Sequence, residues 1–348
     1  MLAERMNRRV VRWLTSTSVV IVCHAAALGC AGSGAEKAPP ASAVDARLAA
    51  TESSAPEASA FVRQGEAKLS ENDAAGAKAL FMQALAANAQ DSRAALDLGI
   101  ASELLGDAQG AEAAYRQALQ VNPGLTQAQN NLGVLLRDRG QLAEAISWLE
   151  RAAVAAPDSA AAHQNLALAY EDAGDLRKSA AQYQRSLELA PDDAMTRVNY
   201  GLLLVKQADT QTAVRELLRA RQAAQGNRAA LLAIGNGLRR AGDAQAAVSA
   251  MEAALSAGGE PVTPALLSEL ALAQRGAGQR EPALASLRKA LALDETYATA
   301  HYLLANMLAA EHQFGEAKRH YERYLKLAPT GEHAARARER LGVIARQH

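Results

Sequence analysis

Three kinds of residue in this sequence could do chemistry: scattered histidines and paired carboxylates, a row of asparagines, and one cysteine that follows an apolar run. The first kind assembles nothing catalytic. His312 and His320 stand eight apart with no carboxylate arrangement that would complete a zinc site. Glu171-Asp172 and Asp192-Asp193 fall at helix ends and turns, where acids serve helix N-termini or face solvent. Gly235-Asn236-Gly237 lies inside a helical pattern and follows no strand, so it is no phosphate loop. No Gly-x-Ser-x-Gly elbow is present. The expectation is a protein without catalytic residues, metal, cofactor or small-molecule substrate.

The asparagines are more regular. Asn131, Asn165 and Asn199 are each 34 residues apart, and that interval governs most of the chain. Small residues recur at Gly65, Gly99, Gly133, Ala167, Gly201 and Gly235, then, after a two-residue insertion, at Ala271 and Ala305. A second small residue follows each of these at Ala77, Ala111, Ala145, Ser179, Ala213, Ala247, Ala283 and Ala317. A third series runs Ala84, Ala118, Ala152, Ser186, Ala220, Ala254 and Ala290, with Tyr324 as the exception. Such a unit is two amphipathic helices joined by a tight turn, marked by Gly106-Asp107, Gly140-Gln141, Gly174-Asp175, Gly242-Asp243 and Gly278-Gln279. Small residues stand where helices approach closely, and Tyr115, Leu149, Tyr183, Leu217, Leu287 and Tyr321 fill the space between them. Pro123, Pro157, Pro191 and Pro329 end second helices, because the residue before a proline is pushed out of helical geometry.

These residues resemble the tetratricopeptide repeat family, over eight repeats that begin at Ala58, Ser92, Thr126, Ala160, Ala194, Arg228, Pro264 and Ala298. The resemblance implies an all-α solenoid, a right-handed superhelix of helix-turn-helix units spanning residues 58–329. Repeat one departs at its turn, with Asn72-Asp73, and repeat eight with His312 and Tyr324. His163 and His301 occupy position 4 of their repeats, a packing position, and read as core residues. Residues 330–348 follow with Ala334, Ala337, Leu341 and Ile344 at helical spacing among arginines, which predicts an amphipathic capping helix.

In that family the first helix of each unit lines an inner groove through positions 2, 5, 6, 9 and 12, a single face by helical spacing. Position 6 carries Asp97, Asn131, Asn165 and Asn199 in repeats two to five. Asn130 and Gln164 stand at position 5, Asn236 at position 9, and Arg137 and Arg239 at position 12. Asparagine offers an acceptor and two donors, so a row of them can pair with the amides and carbonyls of an extended peptide. The row is similar to the asparagine ladder of O-GlcNAc transferase. The alternative is that these side chains solvate the groove or bond to the neighbouring repeat. The clamp that grips C-terminal carboxylates in chaperone-binding relatives needs Lys and Arg beside the Asn and is not reproduced, because position 2 offers Arg93 and then Gln127, Ala161 and Met195.

The N-terminus supplies an address. Arg5, Arg8, Arg9 and Arg12 precede an uncharged stretch from Trp13 to Leu28, and Ala27-Leu28-Gly29-Cys30 follows. Residues 1–29 read as an export signal and Cys30 resembles the lipidated cysteine of a bacterial lipobox. An ordinary secretory signal, leaving a periplasmic protein, is the alternative. Residues 30–57, rich in Ala, Ser, Gly and Pro, read as a flexible tether reaching about 30 Å. Ala31 after the cysteine resembles outer-membrane sorting, with the protein facing the periplasm.

Composition bounds the rest. The 348 residues carry 37 Lys+Arg and 37 Asp+Glu, a balance that argues against a basic nucleic-acid binder. Hydrophobic residues at 49% argue against a disordered chain, and two cysteines exclude a disulfide scaffold. The expected function is a membrane-anchored scaffold that binds a peptide or helix of an envelope partner and helps assemble pilus, motility or secretion machinery. The layout is similar to tetratricopeptide lipoproteins of type IV pilus assembly. A glycan- or peptidoglycan-associated module, and a non-catalytic accessory subunit of a separate enzyme, are the alternatives. Aromatics at 4% disfavour the glycan module.

Overall fold

The structure, a computed structural model, describes residues 43–258 and 261–347. Among these there are 17 helices and no strand. The chain divides at Leu189/Ala190 into two compact units. The first holds α1 (Ala43–Ser70), α2 (Ala74–Ala87), α3 (Ser92–Leu104), α4 (Ala108–Val121), α5 (Thr126–Asp138), α6 (Leu142–Ala155), α7 (Ala160–Asp172) and α8 (Leu176–Leu189). The second holds α9 (Ala194–Lys206), α10 (Thr210–Ala223), α11 (Arg228–Ala241), α12 (Ala244–Ser256), α13 (Pro264–Gly276), α14 (Arg280–Leu293), α15 (Ala298–Ala310), α16 (Phe314–Leu327) and α17 (Ala334–Gln347). No described helix is long and apolar enough to cross a membrane.

Each odd-numbered helix through α15 packs most closely on the even-numbered helix that follows it, forming the hairpin of one repeat. The contact is built on residue 8 of the repeat against residue 24. In the first unit Phe81, Tyr115, Leu149 and Tyr183 hold position 24; in the second, Leu217, Met251, Leu287 and Tyr321 do, and all are fully buried. Position 8 must be small for this reason. A Cβ added at Gly201 would lie 2.7 Å from Leu217 Cγ, closer than two carbons can approach.

The turn between the two helices needs one residue in the left-handed region. Gly106, Gly140, Gly174, Gly242 and Gly278 fill that place with φ between 74° and 96°. Asn72, Ala208 and His312 fill it in repeats one, five and eight, at φ 60°, 62° and 60°. The next residue then caps the second helix. Asp73, Asp107, Asp209 and Asp243 each accept a backbone N–H from the first turn.

Two features of the termini follow from what they pack against. The segment 30–57 reads from sequence as a tether, but α1 begins at Ala43, so residues 43–57 are helix. Alanine, arginine, leucine and glutamate in this stretch are strong helix formers, and the helix runs on unbroken into repeat one. Residues 1–42, with the export signal and Cys30, lie outside the described residues. At the other end α17 forms the expected cap, burying Ala334, Ala337 and Ile344. Tyr324, out of pattern in sequence, accepts the backbone N–H of His333 at 3.0 Å and packs against Tyr302. A large residue fits there because the cap, not another repeat, follows.

Ala208 is the one turn residue that pays for left-handed geometry without a polar side chain to offset it. Replacing it with glycine should stabilise the protein by about 1 kcal/mol and raise the Tm. An unchanged or lower Tm for Ala208→Gly would show that the turn is not strained.

Candidate functional site

Within each unit the first helices of successive repeats lean on one another, α5 on α7 in the first and α9, α11, α13 and α15 in series in the second. Their shared face is therefore the inner side of the array, and positions 2, 5, 6, 9 and 12 lie on it.

In the first unit the structure gathers Asn130, Asn131 and Asn165, but largely onto each other. The Asn165 amide donates to Asn130 Oδ1 at 3.0 Å, across neighbouring repeats, and Asn130 Nδ2 lies 3.4 Å from Asn131 Oδ1. Asn131 also reaches the Tyr115 hydroxyl, which donates to Glu103. Tyr183 repeats that arrangement, donating to Glu171 at 3.1 Å. Burial and these carboxylates hold both phenols well above the usual tyrosine range. Gln164 is half-buried beside Asn165.

Two other residues of this face are less well provided for. Burial pushes the Asp97 carboxyl up to about 7; Arg93, 3.9 Å away, opposes this, while Glu66 and Asp91 add to it. Its Oδ2 is buried without a hydrogen bond. Arg137, 5% exposed, donates to Asp138 at 2.9 Å and lies 3.8 Å from Asp172, yet its Nη1 has no acceptor.

The second unit holds Asn199, Asn236 and Arg239. Asn199 is 8% exposed and its Nδ2 finds no acceptor. Arg239 donates to Asn236 Oδ1 at 3.4 Å and stands 3.8 Å from Glu269, too far for a hydrogen bond. Arg239 Nε and Glu269 Oε2 are both buried without a hydrogen bond. Glu269, raised by burial with Arg239 opposing, occupies position 6 of repeat seven. Its register, the same as that of Asn131, Asn165 and Asn199, marks it in the sequence although its residue type differs. Among the described residues no three His, Cys, Asp or Glu side chains gather as a metal site requires.

A second polar system escaped the sequence. The side chain at position 4 reaches back to a carbonyl of the preceding turn and, in three repeats, across to position 23. His163 joins Gln182 at 2.7 Å and the Pro157 carbonyl at 3.2 Å. Arg197 joins Glu216 at 2.6 Å and the Pro191 carbonyl. His301 joins His320 at 2.8 Å and the Glu295 carbonyl at 2.9 Å, and Gln129 reaches the Pro123 carbonyl at 2.6 Å. His163 and His301 are thus buried, 9% and 5% exposed, as core residues should be, while tying one helix to the other.

Family models described as tetratricopeptide repeat match residues 124–192 in one case and residues 62–126 and 164–228 in the other. A tetratricopeptide repeat protein from Parabacteroides merdae is 18% identical with a TM-score of 0.51, over 74% of this chain and 99% of that one. The APC/C hetero-tetramer Cut9-Hcn1 is similar at 15% identity and a TM-score of 0.51, over 77% of this chain and 52% of that one. MamA from Desulfovibrio magneticus RS-1 is 24% identical with a TM-score of 0.46, over 49% and 96% respectively. No curated protein sequence matches the chain.

The His301–His320 tie is sensitive to protons. His301 Nε2 faces a carbonyl and must carry hydrogen, so its Nδ1 accepts and His320 Nδ1 donates. Burial, His301, Arg319 and Arg288 lower the His320 pKa, against Glu316. The folded value therefore lies below 6.5, so this stability is complete above that pH and is lost as pH falls through the folded value. Between pH 7.5 and 5 the wild-type Tm should fall further than that of His320→Gln. Equal falls would remove the pair from the pH response.

Proposed function

The chain belongs to the tetratricopeptide repeat family, and from that premise we propose that it is a non-catalytic scaffold whose inner face binds a peptide or helix of a protein partner. The supporting observation is the set of buried polar atoms on that face with unmet hydrogen-bonding capacity. Asp97 Oδ2 and Arg137 Nη1 are such atoms in the first unit, and Asn199 Nδ2, Arg239 Nε and Glu269 Oε2 in the second. A buried polar atom without a partner is destabilising by about 1–3 kcal/mol, so folding alone does not select for it. Both donors and acceptors are unmet, and a polypeptide backbone supplies both.

On this proposal the partner belongs to the cell envelope, and the scaffold assists assembly of a multiprotein machine there. Cys30 carries the lipid anchor at the outer membrane, facing the periplasm. The arginine-rich start, the uncharged Trp13–Leu28 stretch and the small residues before Cys30 support that address.

Affinity capture from crosslinked cells should recover one or two envelope proteins with the wild type and lose them with Asp97→Ala/Asn199→Ala/Glu269→Ala, at unchanged helical circular dichroism. A partner set identical between the two would move the contact off the inner face. For the anchor, metabolic labelling with a palmitate analogue should mark the wild type and not Cys30→Ala. The variant should then leave the membrane fraction, and an unlabelled wild type would refute lipidation.

A further inference from the structure

The two units differ in net charge, and the difference reaches the inner face. Residues 58–189 carry 16 Asp+Glu and 11 Lys+Arg, whereas residues 190–348 carry 16 and 20. The difference is concentrated where the first helices end. In the first unit Glu103, Asp138, Glu171 and Asp172 stand in those last turns, and the two cations there, Lys68 and Arg137, are paired with Glu71 and Asp138. In the second the same places hold Lys206, Arg239, Arg240 and Arg275, with Glu269 the one inner carboxylate among the described residues of repeats five to seven.

Helix dipoles do not account for this. They favour cations at every helix C-terminus by about 0.3–1 kcal/mol, yet acids outnumber cations at these ends in the first unit, four against two. The cations of the second unit are a property of that surface.

The floor between them is apolar. Leu202, Leu232 and Ala233 are partly buried along the inner side of α9 and α11, and Leu272 along α13. Arg275 lies beside the partly buried Leu272, while the Ala271, Leu287, Leu303 and Met307 side chains beneath them are packed into the core, so the cation adjoins the apolar floor at Leu272. Arg240 and Arg275 are exposed, and neither has an ion-pair partner among the described residues. Asn199, nine-tenths buried, adds a donor with no acceptor, and Arg239 Nε adds another. By contrast the first unit's inner face carries Asn130, Asn131, Gln164 and Asn165, partly bonded to one another, with its charged residues Asp97 and Arg137 set beside Arg93 and Asp138.

We propose that the inner face of repeats five to seven receives an acidic amphipathic segment of the partner, with apolar side chains on the leucine floor and carboxylates against Arg239, Arg240 and Arg275. This rests on the inner face being the protein-binding face. Carboxylate oxygens are acceptors, which is what Asn199 Nδ2 and Arg239 Nε lack. Leucine against leucine supplies most of the affinity, and the cationic rim selects sign and orientation.

The test uses the full-length chain and three fluorescent peptides of about twelve residues that share the same leucines, with intervening residues all Glu, all Gln or all Lys. Fluorescence anisotropy should rank them Glu, Gln, Lys, with Glu at least about tenfold tighter than Lys, which corresponds to about 1.4 kcal/mol. High salt should narrow that gap. Arg240→Glu/Arg275→Glu, at two exposed positions, should invert the order with helicity unchanged. Equal binding of the Glu and Lys peptides, tighter binding of Lys, an order indifferent to the charge reversal, or binding of none would each overturn the proposal. If all three bind equally and Asn199→Ala weakens all of them, the acidic preference falls while the inner face stands as the binding face.

Discussion

The contact between residue 8 and residue 24 of each repeat sets the separation of the two helices, and the remaining architecture is arranged around that separation. A bulky side chain from the second helix, such as Tyr115 or Leu217, lies against a glycine or alanine of the first and is fully buried. Each such side chain contributes about 1.5–3 kcal/mol through burial, and it admits no Cβ opposite where glycine stands. The close approach turns the flank of the first helix toward the flank of the next first helix. The inner face is therefore a consequence of packing: some of its positions, such as Leu96, Ile100 and Val198, are drawn into the core, and the others vary in chemistry from repeat to repeat.

Polar groups divide accordingly into those that hold the array together and those that do not. The position 4 side chains, Gln129, His163, Arg197 and His301, fasten the start of a first helix to the turn before it, and three of them also reach the second helix. Tyr115 and Tyr183 direct their hydroxyls to Glu103 and Glu171 at the far end of the same helix. These bonds are internal to the array, although Gln129 Oε1 is left without a donor. Asp97, Asn199, Arg239 and Glu269 keep capacity unused on the inner face, which is why the functional proposal turns on them.

Much of this was legible in the sequence because packing imposes a strict interval. The small residues, the fillers at position 24, the glycine turns and the cap all follow from spacing, and each stands where the spacing places it. Side-chain partnership was less legible. Asn130 and Asn165 bond to each other because the rotation between neighbouring repeats brings position 5 of one against position 6 of the next, a geometry that no single repeat contains. Glu269 and Arg239 also meet across repeats, there position 6 of one against position 12 of the repeat before it. The helical start at Ala43 was obscured by serines and Pro56, whose low local preference is outweighed by the alanines around them.

The central claim is that the partner touches the inner face, and site-specific photocrosslinking tests it directly. A photoreactive amino acid would be placed at Ala233, on the inner side of α11, and in a second protein at Val154, 81% exposed on the second helix of repeat three. After irradiation of living cells, the account predicts a discrete partner adduct from position 233 and none from position 154. An adduct from position 154 without one from 233 would contradict it and assign recognition to the outer surface of the repeats.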